Sequence, residues 1–291
     1  MENSENKWLK RRETSDVIVE QKTPDAIRNG LKIFVVGPPR SGTTLLYSMI
    51  ANEFFLPECT FVSTLLKVFD EIYKFSDNER FTYYGHNLTN LAEIFKKPIN
   101  DFLYTAMSRV GGNTKNQFVF KDPMLTLYLE YFPLIFDHSY KIVFCVRDPR
   151  DVVSSMFSVF KKQHTELGEG PLFGQAINFI FPFYREIHKL DNAAYDIDKK
   201  KIIFVKYENI VKSDDETIRN LEEFLGSRVN RQVENKNLIG KLDESDAFYS
   251  ENYGKAITTS PMGRYKKTLT YQQVSEIESV FSYYLNRFEY S

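Results

Sequence analysis

Seven residues near the start of this chain limit its fold more than any other feature. Leu31–Gly37 reads LKIFVVG, a short, β-branched, apolar run of the kind buried on both faces of a sheet. It runs straight into Pro38-Pro39-Arg40-Ser41-Gly42-Thr43-Thr44 and then a helical pattern over 44–55. A buried strand, a glycine-bearing turn and a helix make the first half of a βα unit, so the fold class must supply a parallel sheet. Glycines at 37 and 42 let the backbone approach an anion, and successive N–H groups at a helix N-terminus point toward it. The ATPase phosphate loop, G-x-x-x-x-G-K-[ST], is matched at Gly37, Gly42 and Thr44, but Thr43 stands where the lysine belongs. Arg40, inside the loop, supplies a cation instead. The competing reading is an ordinary strand–turn–helix corner; Arg, Ser and two Thr in one turn favour anion binding.

Two further runs resemble the first, Lys141–Val146 (KIVFCV) and Lys201–Val205 (KIIFV), with Gln117–Phe120 (QFVF) a weaker fourth. Helical patterns fall between them at 63–73, 99–110 and 149–162, then from Ser213 to Gly226 and over 272–286. Asp148 reads as the N-cap of the 149–162 helix with Pro149 at its first position. Ser213-Asp214-Asp215-Glu216 reads as a capping box. Buried strands alternating with helices predict an α/β fold: a single domain with a central parallel sheet, helices on both faces, and a P-loop nucleotide-binding type of site. Residues 1–30 are polar and poorly periodic and read as an N-terminal arm, partly disordered, with the domain running from 31 to 291.

A second anion site is predicted where KIVFCV runs into Arg147-Asp148-Pro149-Arg150-Asp151. Arg147 stands at the carboxyl end of a strand, where open parallel sheets bind ligands. Ser155, eight residues on, is about two helical turns away and on the same side. A guanidinium and a hydroxyl suit a phosphate monoester; the alternative is a structural Arg147–Asp148 ion pair capping the helix. One loop suited to a 5′-phosphate beside a second site for another phosphate matches a nucleotide phosphorylated at both 3′ and 5′ positions.

These residues resemble a known family. PPRSGTT after a strand, then VRDPRDVVSSM, is similar to the two nucleotide signatures of the sulfotransferases, which use 3′-phosphoadenosine 5′-phosphosulfate (PAPS) and release the bisphosphate PAP. The resemblance extends from about Leu31 to the C-terminus. It implies that Arg40, Ser41, Gly42, Thr43 and Thr44 hold the 5′-phosphosulfate and that Arg147 and Ser155 hold the 3′-phosphate. Lys206-Tyr207-Glu208-Asn209 resembles the family's Tyr-Glu block, which would bring Tyr207 near the nucleotide. Gly263-Arg264-Tyr265-Lys266 resembles the late segment that closes over it, with Arg264 as the contact and Tyr265 in place of the usual Trp. Arg40 and the block Lys121-Asp122-Pro123 look closer to the tyrosylprotein and carbohydrate branch than to the small-phenol and steroid branch. In that branch a glutamate after the first helix is the catalytic base, a role the resemblance gives to Glu58. The family's further arginine, four residues beyond the 3′-phosphate serine, is Val159 here, with Lys161 and Lys162 its nearest substitutes.

Sulfuryl transfer resembles phosphoryl transfer: in-line attack, with charge building on the leaving phosphate. It needs cations at the oxygens, a base for the acceptor's proton and alignment of both substrates. Arg40 and Lys121 are the expected cations and Glu58 the base, with Ser245 a candidate leaving-group contact. Lys121 alternatively pairs with Asp122, and His86 and His164 are the competing bases. No metal is expected to take part, because no strand-end acid of the Mg²⁺-binding type stands out. Aromatics concentrate at 81–87 and 171–184; they suit an acceptor pocket, but filling core space on helices is the favoured reading. The alternatives to a sulfotransferase are a nucleotide kinase or other phosphoryl transferase with an atypical loop, and a non-catalytic PAP-binding scaffold.

Composition removes other classes. Net charge is −1 over 291 residues, which does not suit general nucleic-acid binding. Cys59 and Cys145 form no CxxC pair, and the four histidines are never at metal-ligand spacing. The uncharged run Pro171–Tyr184 contains Gln175, Asn178 and Pro182 and is too short to span a bilayer. With no apolar leader in MENSENKWLKRRETSD, the expectation is a cytoplasmic enzyme without a membrane partner. The acceptor is expected to be a small molecule, carbohydrate or peptide.

Overall fold

The computed structural model describes residues 29–51, 58–74, 87–110, 116–136, 139–232, 248 and 256–290. The proposed arm at 1–30 falls outside these except for its last two residues. Four strands, β1 Leu31–Val36, β2 Gln117–Lys121, β3 Tyr140–Val146 and β4 Ile202–Lys206, form one sheet in the order β2-β1-β3-β4. Every neighbouring pair is parallel. All four were predicted, because each is a β-branched or aromatic run short enough to be buried on both faces.

Helices lie on both faces. Along the chain they are α1 Thr43–Ala51, α2 Thr60–Lys74, α3 Leu88–Val110, α4 Phe132–Ile135, α5 Pro149–Gln163, α6 Glu169–Asp191, α7 Tyr207–Val211, α8 Asp215–Leu225, α9 Tyr265–Thr268, α10 Tyr271–Val280 and α11 Ser282–Arg287. Alternate strand residues feed two cores. Phe34, Phe120, Ile142 and Phe144 meet α2, α3, α5 and α6 on one face. Ile33, Val35, Val143 and Cys145 meet α1, α7 and α8 on the other. This alternation is the period-2 geometry of strands applied to a doubly covered sheet.

Local signals account for several helix ends. Asp148 caps α5 by accepting from the Arg150 N–H at 2.9 Å, with Pro149 at the first position. Thr270 and Gln273 form a capping box at α10. Three expectations change. The cap of α8 is Asp214, whose carboxylate accepts from the Thr217 N–H at 2.8 Å, not Ser213. The last predicted helix divides at Phe281 into α10 and α11. The third helix begins at Leu88 rather than Ile99 and carries Pro98 inside it. The sequence reading drew no boundaries for α6, because Pro182 and the uncharged run mask its period. Its buried side chains Leu172, Phe173, Ala176, Ile177, Ile180, Phe183 and Tyr184 place the 171–184 aromatics mainly in the core, as favoured.

The strand order makes a crevice. From β1 the chain crosses to β2 on one side; it then returns past β1 to β3 and goes on to β4 on the other. The carboxyl ends of β1 and β3 therefore flank a topological switch point, the usual ligand site of open α/β sheets.

Candidate functional site

The loop 37–42 leaves β1 at that switch point. Gly42 has φ +101°, and a Cβ there would lie 2.3 Å from the Tyr207 ring, so only glycine fits between the loop and α7. Arg40 adopts φ +71°, a left-handed conformation that costs about 1–3 kcal/mol in a non-glycine residue. The Gly37 N–H donates to Thr126 Oγ1 at 2.8 Å, and the Ser41 N–H donates to the Pro38 carbonyl at 3.0 Å. Ser41 is 0% exposed, and its Oγ meets no partner among the described residues. Thr43 and Thr44 open α1, so their backbone lies at the positive end of the helix.

Arg40 joins this loop to the second predicted site. Its Nε donates to Ser155 Oγ at 3.1 Å, and its Nη1 donates to the Phe248 carbonyl at 2.8 Å. Arg147 at the end of β3 donates to the Arg40 carbonyl at 3.2 Å and to the Pro261 carbonyl at 2.6 Å. Its guanidinium stacks on the Tyr207 ring at 4.5 Å. The side chain is 9% exposed, and its Nε meets no partner among the described residues. The alternative reading, an Arg147–Asp148 ion pair capping the helix, is not what forms. Asp148 instead pairs with Arg150 at 2.8 Å, and Arg147 faces Asp151 at 3.6 Å.

Lys121, the last residue of β2, brings an ammonium group beside Thr44. Its Nζ donates to Thr44 Oγ1 at 2.8 Å and lies 2.5 Å from Glu58 Oε1. The partner of Lys121 is thus Glu58, not Asp122. The lysine side chain is 10% exposed and the glutamate 46%, so the carboxylate faces solvent on one side while Lys121 holds it on the other. Asp122 is fully buried and caps the next turn by accepting from the Met124 N–H; burial pushes its carboxyl above its usual range.

A third part contains residues with no assigned role in the sequence, Arg150, Asp151 and Ser154. They stand in the first turns of α5, just after Arg147 at the end of β3. Together they hold the late segment. Asp151 accepts from the Gly263 and Tyr265 N–H groups at 2.7 and 3.0 Å. Arg150 stacks on the Tyr265 ring at 4.7 Å and reaches Glu278 at 2.8 Å. Ser154 and Thr268 share a hydrogen bond of 2.6 Å. Tyr265, which stands where the resemblance has Trp, is therefore buried against α5, while Arg264 beside it is exposed.

Other supports also escaped the sequence reading. The Tyr184 hydroxyl donates to the Arg147 carbonyl. Glu208 accepts from the Asp148 N–H at 3.0 Å and the Tyr290 hydroxyl at 2.9 Å, and burial raises its carboxyl pKa. Only the adjacency of Glu208 to Tyr207 hinted at this role. Ser245, His86 and the 81–87 aromatics lie outside the described residues. His164 caps the far end of α5 beside Glu166 at 3.6 Å. Val159 is buried in the core, and the exposed Lys161 is paired with Glu169 at 2.5 Å. Among the described residues no three His, Cys, Asp or Glu side chains cluster as a metal site, and no helix is long and apolar enough to cross a membrane.

Comparison with known proteins assigns the architecture. The model of a sulfotransferase family matches residues 32–231. The fold is similar to a sulfotransferase domain from the curacin biosynthetic pathway, at TM-score 0.55 and 18% identity, covering 87% of this chain and 97% of that one. It is also similar to the sulfotransferase domain of the Synechococcus PCC 7002 olefin synthase, at TM-score 0.53 and 17% identity, covering 87% and 94%. A comparison with curated proteins finds no match.

Proposed function

The chain belongs to the sulfotransferase family, and we propose that it transfers a sulfuryl group from PAPS to a hydroxyl or amine of a small-molecule, carbohydrate or peptide acceptor. The observation that carries this reading is the Arg40 bridge: one side chain links the β1 loop to Ser155, while its carbonyl accepts from Arg147. Two anion-binding sets meeting at one switch point fit a nucleotide with phosphates at both ends of its ribose. Two buried polar atoms there, Ser41 Oγ and Arg147 Nε, fit the same ligand, since each has room in its bonding for a phosphate oxygen.

PAPS would supply the sulfuryl group and a phosphate leaving group. Ser41, Gly42, Thr43 and Thr44 would hold the 5′ end through loop N–H groups and hydroxyls, and Arg147 and Ser155 the 3′-phosphate. Tyr207 would lie beside the nucleotide and Arg264 would close over it. Arg40 and Lys121 would balance charge as it builds on the leaving oxygen. Glu58 would take the acceptor's proton, aligned by its contact with Lys121. Ser245 remains a proposed leaving-group contact.

Thermal unfolding with PAP, and separately with ATP and Mg²⁺, tests the reading. PAP at 100 times its dissociation constant should add about 2.7 kcal/mol without metal, and Arg147→Ala should abolish the gain. Stabilisation by ATP and Mg²⁺ alone would overturn the assignment in favour of a phosphoryl transferase. PAP binding without sulfuryl transfer to any hydroxyl or amine tested would favour a scaffold.

A further inference from the structure

Arg147, at the end of β3, is bonded to a turn that Asp151, in the first turn of α5, also holds. Its Nη2 donates to the Pro261 carbonyl at 2.6 Å. Two and four residues later, the Gly263 and Tyr265 N–H groups both donate to the Asp151 carboxylate. Asp151 Oδ2 in turn lies 3.6 Å from Arg147 Nη2, with the carboxylate side chain only 2% exposed. The contacts close a ring: Asp151 to Gly263, back along the chain to Pro261, across to Arg147, and back to Asp151. Gly263 has φ +65°, a left-handed conformation that glycine adopts readily, in the turn whose 263 and 265 N–H groups both reach that carboxylate. Arg264 sits between those two donors.

We propose that Asp151 is a positioning residue for nucleotide recognition: it fixes the 261–265 turn and the Arg147 guanidinium in one frame, so that Arg147 and Arg264 reach the nucleotide together. This rests on the two-phosphate reading above. The rest of the segment has separate anchors, since Arg150 holds Tyr265 and Glu278, and Ser154 holds Thr268. Asp151 alone on α5 accepts from the backbone of the turn that also gives Arg147 its Pro261 acceptor. Its effect should therefore fall on the 3′-phosphate more than on general stability.

Calorimetric titration of the full chain with PAP and with 5′-AMP, which lacks the 3′-phosphate, makes the distinction. In Asp151→Asn, PAP affinity should drop roughly tenfold while 5′-AMP affinity changes less than about twofold, as expected for misplacing one charge-assisted contact. Gly263→Ala should give the same selective loss; a Cβ there meets no atom within 4 Å, so the change acts through the backbone of the turn. It carries the test if the aspartate variant does not fold. Ser154→Ala, on the same helix face, should leave the preference for PAP intact. If both ligands weaken equally, or if Asp151→Asn and Gly263→Ala keep the wild-type preference, Asp151 is a structural residue and the proposal fails. If the wild type itself shows no preference for PAP over 5′-AMP, the two-phosphate reading fails first.

Discussion

The ends of β1 and β3 lie side by side, yet they are built in opposite ways. The β1 loop takes its backbone from local sequence: six consecutive residues, two glycines and a following helix define it, and its partners from elsewhere, Thr126 on Gly37 and Ser155, Phe248 and Arg147 on Arg40, meet a loop already turned. The β3 end is assembled from distant pieces. Tyr184 of α6 holds the Arg147 carbonyl, Glu208 of α7 holds the Asp148 N–H, Tyr207 supports the guanidinium, and Pro261 accepts from it. A loop of backbone donors can be specified by a few adjacent residues, whereas a guanidinium on a flexible stem needs walls brought from elsewhere. On the function proposed above, the first arrangement would take the reacting end of the nucleotide, next to Lys121 and Glu58. The second suits affinity and selectivity at the far end.

That division of labour can be broken experimentally. The largest expected effect is on the reacting side: Glu58→Gln should lower kcat by about 10²–10⁴-fold, the usual worth of a general base. PAP affinity should change little, and an equal loss of affinity in a binding titration would erase the distinction. Next is the contact joining the two sides. Gly42→Val places a branched side chain against the Tyr207 ring at a positive φ and should cost roughly 2–4 kcal/mol in urea unfolding. A neutral result would mean that the loop and α7 move independently. Ser155→Ala removes the acceptor of the Arg40 Nε on the affinity side. It should weaken PAP about fivefold, in line with one lost hydrogen bond, and leave kcat at saturating donor nearly unchanged.

The smallest effect concerns Glu208, whose buried carboxyl has its pKa raised above 4.5. A carboxyl that binds its proton more tightly folded than unfolded stabilises the fold at low pH. That contribution fades as pH rises past 4.5 through the raised value. Glu208→Gln should flatten this part of the stability–pH curve above about pH 4.5 by less than one proton. Urea midpoints measured at several pH values across that range would show it, and an unchanged slope would mean that Glu208 titrates alike in both states.

By itself the sequence determined the parts whose causes are local. The four strands followed from short β-branched runs, and the β1 loop from Gly37, Gly42 and the helix after them. The cap at Asp148 followed from Asp-Pro before an apolar period. The resemblance to a family rested on the same compact blocks, which is why it could be stated before any contact was known. The pairing of Lys121 with Glu58, the bridge from Arg40 to Ser155 and the hold of Asp151 on the 261–265 turn were decided only in the tertiary structure. Asp122 and Asp148 offered Lys121 and Arg147 nearer acids along the chain, and both arginine and lysine turned to more distant residues. Sequence distance does not set side-chain distance in a sheet whose strand order is 2-1-3-4: the crossover that makes the switch point also brings residues more than a hundred positions apart within hydrogen-bond reach.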